Sequence, residues 1–164
     1  MSSSTPAPRN WHAATIARLS VLGLELPEPV TPVASYVPAV QFGALIQTSG
    51  QLPINDGKLP LTGKVGDDVS EYEAAQLARI CILNALAAIS SLADLDSISR
   101  VIKVVGFVAS APNFNAQPAV INGASDLLLD VFGERGRHAR AAVGVAELPL
   151  AAPVEIELLV ETAS

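Results

Sequence analysis

The chain has 164 residues, 50% of them hydrophobic, and 10 lysines and arginines against 16 acids leave a formal charge of −6. That length suits one domain with its own core, and the negative field with only 4% aromatics argues against nucleic acid as a partner. Cys81 is the single cysteine, which excludes an internal disulfide and fits reducing, cytoplasmic surroundings, and two histidines, His12 and His138, offer no zinc spacing.

Residues 11–22 place Ile16, Leu19 and Leu22, or Ala13, Ile16 and Ala17, at helical spacing, and Gly23 follows as a stop. The first 24 residues carry Arg9, Arg18, several serines and no acid, as a transit peptide does, but the ordinary amphipathic helix is the preferred reading. Pro27, Pro29, Pro32 and Pro38 make residues 25–38 an extended connector. Strands are predicted over Val33–Val40 and Ala44–Ser49, and residues 53–66 form a loop with turn chemistry at Asn55-Asp56-Gly57. Ser70 caps a long helix that opens with Glu71 and Glu73 and runs to about Leu92. Arg100–Ser110 reads as a central strand, Asn115–Phe132 as a second helix, and Arg140–Glu147 and Val154–Glu161 as two more strands. No run approaches the ~18 uninterrupted apolar residues of a membrane span, so no membrane partner is expected. Alternating strands and helices imply a sheet covered on one face, whose other face pairs with further copies of the chain.

Arg140 stands inside an apolar, strand-like run, His138-Ala139-Arg140-Ala141-Ala142-Val143. A guanidinium buried there cannot shed its proton and requires an anion. Either a protein carboxylate, Glu155 or Glu157, meets it, or a ligand carboxylate or phosphate does.

The chain resembles the Rid family of reactive-intermediate deaminases, also called YjgF/RidA and once named endoribonuclease L-PSP. The resemblance runs from about Ala34 to Thr162 through an ordered set of short anchors: Tyr36-Val37, Thr48-Ser49-Gly50-Gln51-Leu52-Pro53, Phe107-Val108, Asn113-Phe114, Val120-Ile121-Asn122, Ala139-Arg140, Val145-Ala146-Glu147-Leu148-Pro149 and Val154-Glu155-Ile156-Glu157. It implies an α+β fold, a chorismate-mutase-like mixed β-sheet backed by two helices on one face, assembled as a homotrimer with sites in the clefts between subunits. Residues 1–33 then form an N-terminal helical extension with its Pro-rich connector, and 34–164 the Rid-like domain. The implied activity is cofactor-independent hydrolysis of amino-acid-derived enamines and imines, of the 2-aminoacrylate type, to 2-keto acids and ammonia.

Carried over position by position, Arg140 matches the arginine that grips the substrate carboxylate, and Glu155 matches the acid that positions the attacking water. Tyr36 matches a tyrosine contributed across the subunit boundary. Ser49 and Asn122 match polar residues lining the site, and Gly50 joins the substrate-binding set. Ala142 stands where the family carries a cysteine, so only a backbone contact persists there. His138 replaces a common proline, and Ser110-Ala111-Pro112 replaces an acidic turn. The competing reading is a trimeric module that binds or senses small carboxylates without turnover. Read as a lone loop residue, His138 is a solvated neighbour of the arginine, and Cys81 is inert core.

Sheet order bears on this site. If the last two strands formed a hairpin around Leu150, Glu155 would face about Val145 and lie roughly 17 Å from Arg140. The family's order, with the final strand inserted between the first two rather than beside its predecessor, removes that objection.

Overall fold

The computed structural model describes residues 11–29 and 35–163. Five strands and three helices form in the order α1 (Ala13–Val21), β1 (Ala39–Phe42), β2 (Leu45–Thr48), α2 (Glu71–Ser90), β3 (Ile98–Ala109), α3 (Gln117–Phe132), β4 (Ala139–Val145) and β5 (Val154–Thr162). The long helix begins where predicted because Ser70 and Glu73 close a reciprocal capping box, which satisfies two N–H groups that the first turn leaves unpaired. The turn at Asp56-Gly57 also forms, both residues at positive φ, with Asn55 and Lys58 exchanging backbone hydrogen bonds around it.

The first strand is shorter than the predicted Val33–Val40. Pairing starts only after Pro38, which has no N–H to give a ladder, and residues 33 and 34 lie outside the described residues. A two-residue turn at Gly43-Ala44, with Gly43 at φ 58°, returns the chain into β2.

The sheet is mixed, in the order β1-β2-β5-β3-β4. β4 runs parallel to β3, and the other pairs are antiparallel. The last two strands therefore form no hairpin. β5 lies between β2 and β3, the first two strands of the core once the leading β1 is set aside, as the family resemblance implies.

Alternation along β5 sorts the two faces. Val154, Ile156, Leu158 and Val160 are fully buried under α2 and α3, while Glu155, Glu157, Leu159 and Glu161 face the other way. On β3, Val104, Gly106 and Val108 share the covered face, and α3 sits so close that a Cβ at Gly106 would overlap Ile121. α2 is long and apolar enough to cross a bilayer, but 67% of its apolar window is buried inside the fold, where it is the core helix. Cys81 lies on it, fully buried, its thiol pushed well above its ordinary range by burial first and by the Glu155 charge second.

Among the described residues no helix covers the opposite face. Val40 (56% exposed), Phe42 (84%) and Val143 (43%) lie on it with half-buried Leu45, Leu159, Val105 and Phe107.

α1 buries Thr15 and Leu19 rather than Ile16, which is 46% exposed. Its orientation follows from its first turn. Ala14 N–H, Thr15 N–H and the Thr15 hydroxyl all donate to the Asp96 carboxylate at 2.7–2.9 Å, so a side chain 81 residues away supplies the helix cap.

Candidate active site

Arg140 lies on β4, the edge of the sheet, opposite Val104, with Ala142 opposite Gly106, so both face the helix side. Asn122 and Ser125 stand one turn apart on the face of α3 that meets this edge. Nη1 of Arg140 donates to Asn122 Oδ1 at 2.8 Å and to Ser125 Oγ at 3.3 Å. The expected buried guanidinium is corrected here: an edge strand leaves Arg140 only half-buried, and among the described residues no carboxylate lies within ion-pair range of it. Neutral acceptors satisfy Nη1 alone. Nε and Nη2 have no partner among the described residues, where no buried side-chain polar atom goes unpaired, so both reach solvent-accessible space.

His138 is not the lone neighbour that its loop position suggests. Its Nε2 lies 2.9 Å from Ser125 Oγ, and its Nδ1 lies 2.6 Å from the Gly136 carbonyl oxygen. Ser125 was missed in sequence, although its spacing of three from Asn122 on a helix was the available signal.

A second cluster surrounds Glu155. After Gln47 pairs with Leu159, the next bridge is Gln51 with Ile156, so three residues of the β2 side oppose two of β5 and the strand bulges. The Leu158 N–H that the bulge strands is taken by Thr48 Oγ1 at 3.0 Å. The bulge presses Gly50 onto Glu155 so closely that a Cβ at Gly50 would overlap the carboxylate. Ser49 donates its hydroxyl to the Val37 carbonyl at 2.6 Å, and its N–H goes to Pro38. That pins the segment carrying Tyr36, whose side chain is 56% exposed. Glu155 is half-buried, and its carboxyl is held above its ordinary range by burial first and by repulsion from Glu157 second.

These clusters do not meet within one chain. Glu155 pairs with Phe107, three positions along β3 from the Val104 that pairs with Arg140, and β3 separates the two strands. At strand rise and spacing this is roughly 10 Å in each direction, or about 14 Å in all. The two side chains also leave opposite faces of the sheet. The reading in which Glu155 of the same chain pairs with Arg140 is corrected accordingly. The predicted residues thus fall into two separate clusters, one of Arg140, Asn122 and Ala142 and the other of Tyr36, Ser49, Gly50 and Glu155. Among the described residues no group of three or more His, Cys, Asp and Glu could hold a metal ion.

A family model described as YjgF/chorismate mutase-like, putative endoribonuclease, matches residues 16–162. The chain belongs to this family. The chain is 47% identical over 147 residues to Protein TCP17 of Trypanosoma cruzi, covering 88% of this chain and 92% of that protein. It is 33% identical over 135 residues to a 2-iminobutanoate/2-iminopropanoate deaminase of Dermatophagoides farinae, covering 82% and 88%. A crystal structure of the Agrobacterium tumefaciens protein Atu1372, of unknown function, superposes with a TM-score of 0.87 at 48% identity, covering 93% and 94%. The mixed five-stranded sheet with its helices is therefore the family fold.

Proposed function

We propose that the protein is a cofactor-independent deaminase that hydrolyses amino-acid-derived imines, and enamines after their protonation at carbon, to 2-keto acids and ammonia. Its proposed working unit is a homotrimer in which Arg140 of one protomer and Glu155 of a neighbour face a shared pocket. The observation that carries this reading is the division of the predicted residues into two half-sites on opposite faces of one sheet. Groups about 14 Å apart and back to back can act on one small molecule only when different protomers supply them. The uncovered apolar face with Val40, Phe42 and Val143 supports assembly. The likeness to proteins named as iminobutanoate and iminopropanoate deaminases supports the reaction class.

The chemistry asks for three things: a grip on the carboxylate, a water aimed at the carbon of the C=N bond, and a proton acceptor. Arg140 supplies the first through charge-assisted hydrogen bonds. Glu155, ionised, takes a proton as water adds to the iminium carbon. Glu155 then returns that proton to the amino nitrogen of the tetrahedral amino alcohol, which collapses as its hydroxyl gives its proton to the carboxylate, the C=O bond forms and the C–N bond breaks to release ammonia. A carboxyl held above its ordinary value is a stronger base for this task than an exposed one. The backbone at Ala142 and the Asn122 amide border the carboxylate end, and Tyr36 and Ser49 line the end that holds Glu155.

The test is release of keto acid and ammonia from enzymatically generated 2-aminoacrylate. Acceleration over buffer that disappears in Arg140→Ala is expected, and no acceleration by the purified protein contradicts the reading. A carboxylate-binding module without turnover is separated by Glu155→Gln. In a deaminase that change abolishes hydrolysis and leaves keto-acid affinity in place, whereas a pure binder shows no hydrolysis to lose.

A further inference from the structure

We propose that Ser125 and His138 are positioning residues that set which edge of the Arg140 guanidinium meets the substrate carboxylate. The inference rests on the reading of Arg140 as the carboxylate-holding group. It begins with the Gly136 carbonyl, which can only accept a hydrogen bond, so His138 Nδ1 at 2.6 Å must carry the proton. In the neutral ring Nε2 is then an acceptor, and Ser125 Oγ at 2.9 Å donates its one hydrogen to it. With its hydrogen committed there, the hydroxyl turns a lone pair toward Arg140 Nη1 at 3.3 Å. Asn122 Oδ1 takes the second Nη1 hydrogen at 2.8 Å.

The consequence is geometric. A guanidinium pairs with a carboxylate either end-on, through Nη1 and Nη2, or side-on, through Nε and Nη2. Both Nη1 hydrogens are engaged with α3, which leaves the Nε–Nη2 edge intact and accessible. The substrate is therefore held side-on, on the flank of Arg140 turned away from Asn122 and Ser125. Without His138 as acceptor the Ser125 hydroxyl is free to rotate its hydrogen toward Nη1. The guanidinium then loses one of the two contacts that hold its plane. His138 acts at one remove and needs no contact with the reacting atoms, in line with the way outer groups orient a ligand-binding side chain.

Four variants test this: Ser125→Ala, His138→Phe, His138→Gln, whose amide oxygen can replace Nε2 as acceptor, and Arg140→Ala. For 2-iminopropanoate generated in the cuvette, S125A and H138F are expected to raise KM about tenfold with kcat within about threefold, because the lost interaction serves binding rather than the chemical step. Calorimetry with 2-oxobutanoate should show the same loss of affinity. The double variant should be no worse than either single one, since both break one chain of contacts, and H138Q should return close to wild type. Long-range ¹H–¹⁵N spectra should show the His138 proton on Nδ1. Wild-type KM in S125A and H138F alongside a defective R140A overturns the inference and leaves the deaminase reading standing. Wild-type binding and turnover in R140A overturns both. A fall in kcat at unchanged KM, or a proton on Nε2, also overturns the positioning role. Should H138F fail to fold, S125A decides, because it deletes one oxygen from a half-buried helix position.

Discussion

Mixing two variants, each expected to be inactive, tests the proposed shared pocket without any ligand structure. Arg140→Ala deletes the grip on the carboxylate, worth about 3 kcal/mol or roughly 150-fold in kcat/KM for two charge-assisted hydrogen bonds. Glu155→Gln deletes the base. The two positions sit back to back within a chain, three residue levels and two strands apart, so each variant keeps the other half-site intact. In a closed ring of three, a pocket is complete wherever an E155Q protomer presents its arginine to an R140A protomer presenting its glutamate. Random reassortment after co-refolding leaves three of four trimers mixed, each with one complete pocket in three, so about one quarter of wild-type activity returns. The assay is initial-rate ammonia release by the separate variants, by their simple mixture before subunit exchange, and by the co-refolded sample, with sedimentation reporting the assembly. No recovery in co-refolded heterotrimers refutes a pocket divided between protomers.

The remaining predictions concern acidity, packing and the N-terminal helix. In the proposed mechanism hydrolysis needs Glu155 ionised, and its value lies above the ordinary 4.5, so activity should fall as pH drops through that raised value. Glu157→Gln removes the second cause of the shift, and the acid limb of the pH–rate profile should move down; an unmoved limb argues against Glu155 as the base. Gly50→Ala places a methyl where the Glu155 carboxylate lies, and displacing that flexible end should cut kcat about tenfold or more with little loss of Tm; wild-type turnover shows that the close approach is not needed. Asp96→Ala removes the acceptor for the first turn of α1, a cap worth about 1–2 kcal/mol, or roughly 2–8 °C in Tm for a domain of this size. Burial works to raise the Asp96 carboxyl, but the hydrogen bonds from Ala14 and Thr15 outweigh it and hold the group below its ordinary 3.8. Its folded value being the lower one, the ionised cap stabilises fully above 3.8, and that contribution is lost as pH falls through the lowered value. Equal acid sensitivity in wild type and D96A contradicts this.

What was legible in the sequence was local. Ser70 and Glu73 cap their own helix, Asp56-Gly57 makes its own turn, and the alternation from Val154 to Val160 records one buried face. What was not legible depends on partners far along the chain. Thr15 rather than Ile16 faces inward because Asp96 draws the first turn of α1 toward itself. Nothing near Arg140 states that β4 is an edge strand, where an arginine among alanines stays half-exposed and needs no anion from its own chain. Nor does the spacing of Arg140 and Glu155 reveal their faces, because alternation counts only within a strand and the loop at Leu148–Pro153 resets it. The family resemblance named the residues of both clusters, but not that one chain holds Arg140 and Glu155 on opposite faces of the sheet. Ser125 could have been read from its helical spacing to Asn122, whereas its link to His138 depends on how β4 lies against α3.

The most direct measurement is a crystal structure of the full chain with 2-oxobutanoate bound. The ligand carboxylate should rest on Nε and Nη2 of Arg140 in one protomer, with its keto carbon facing Glu155 of the neighbouring one. A ligand held away from Arg140, or Arg140 and Glu155 lining separate pockets in the assembly, contradicts the account.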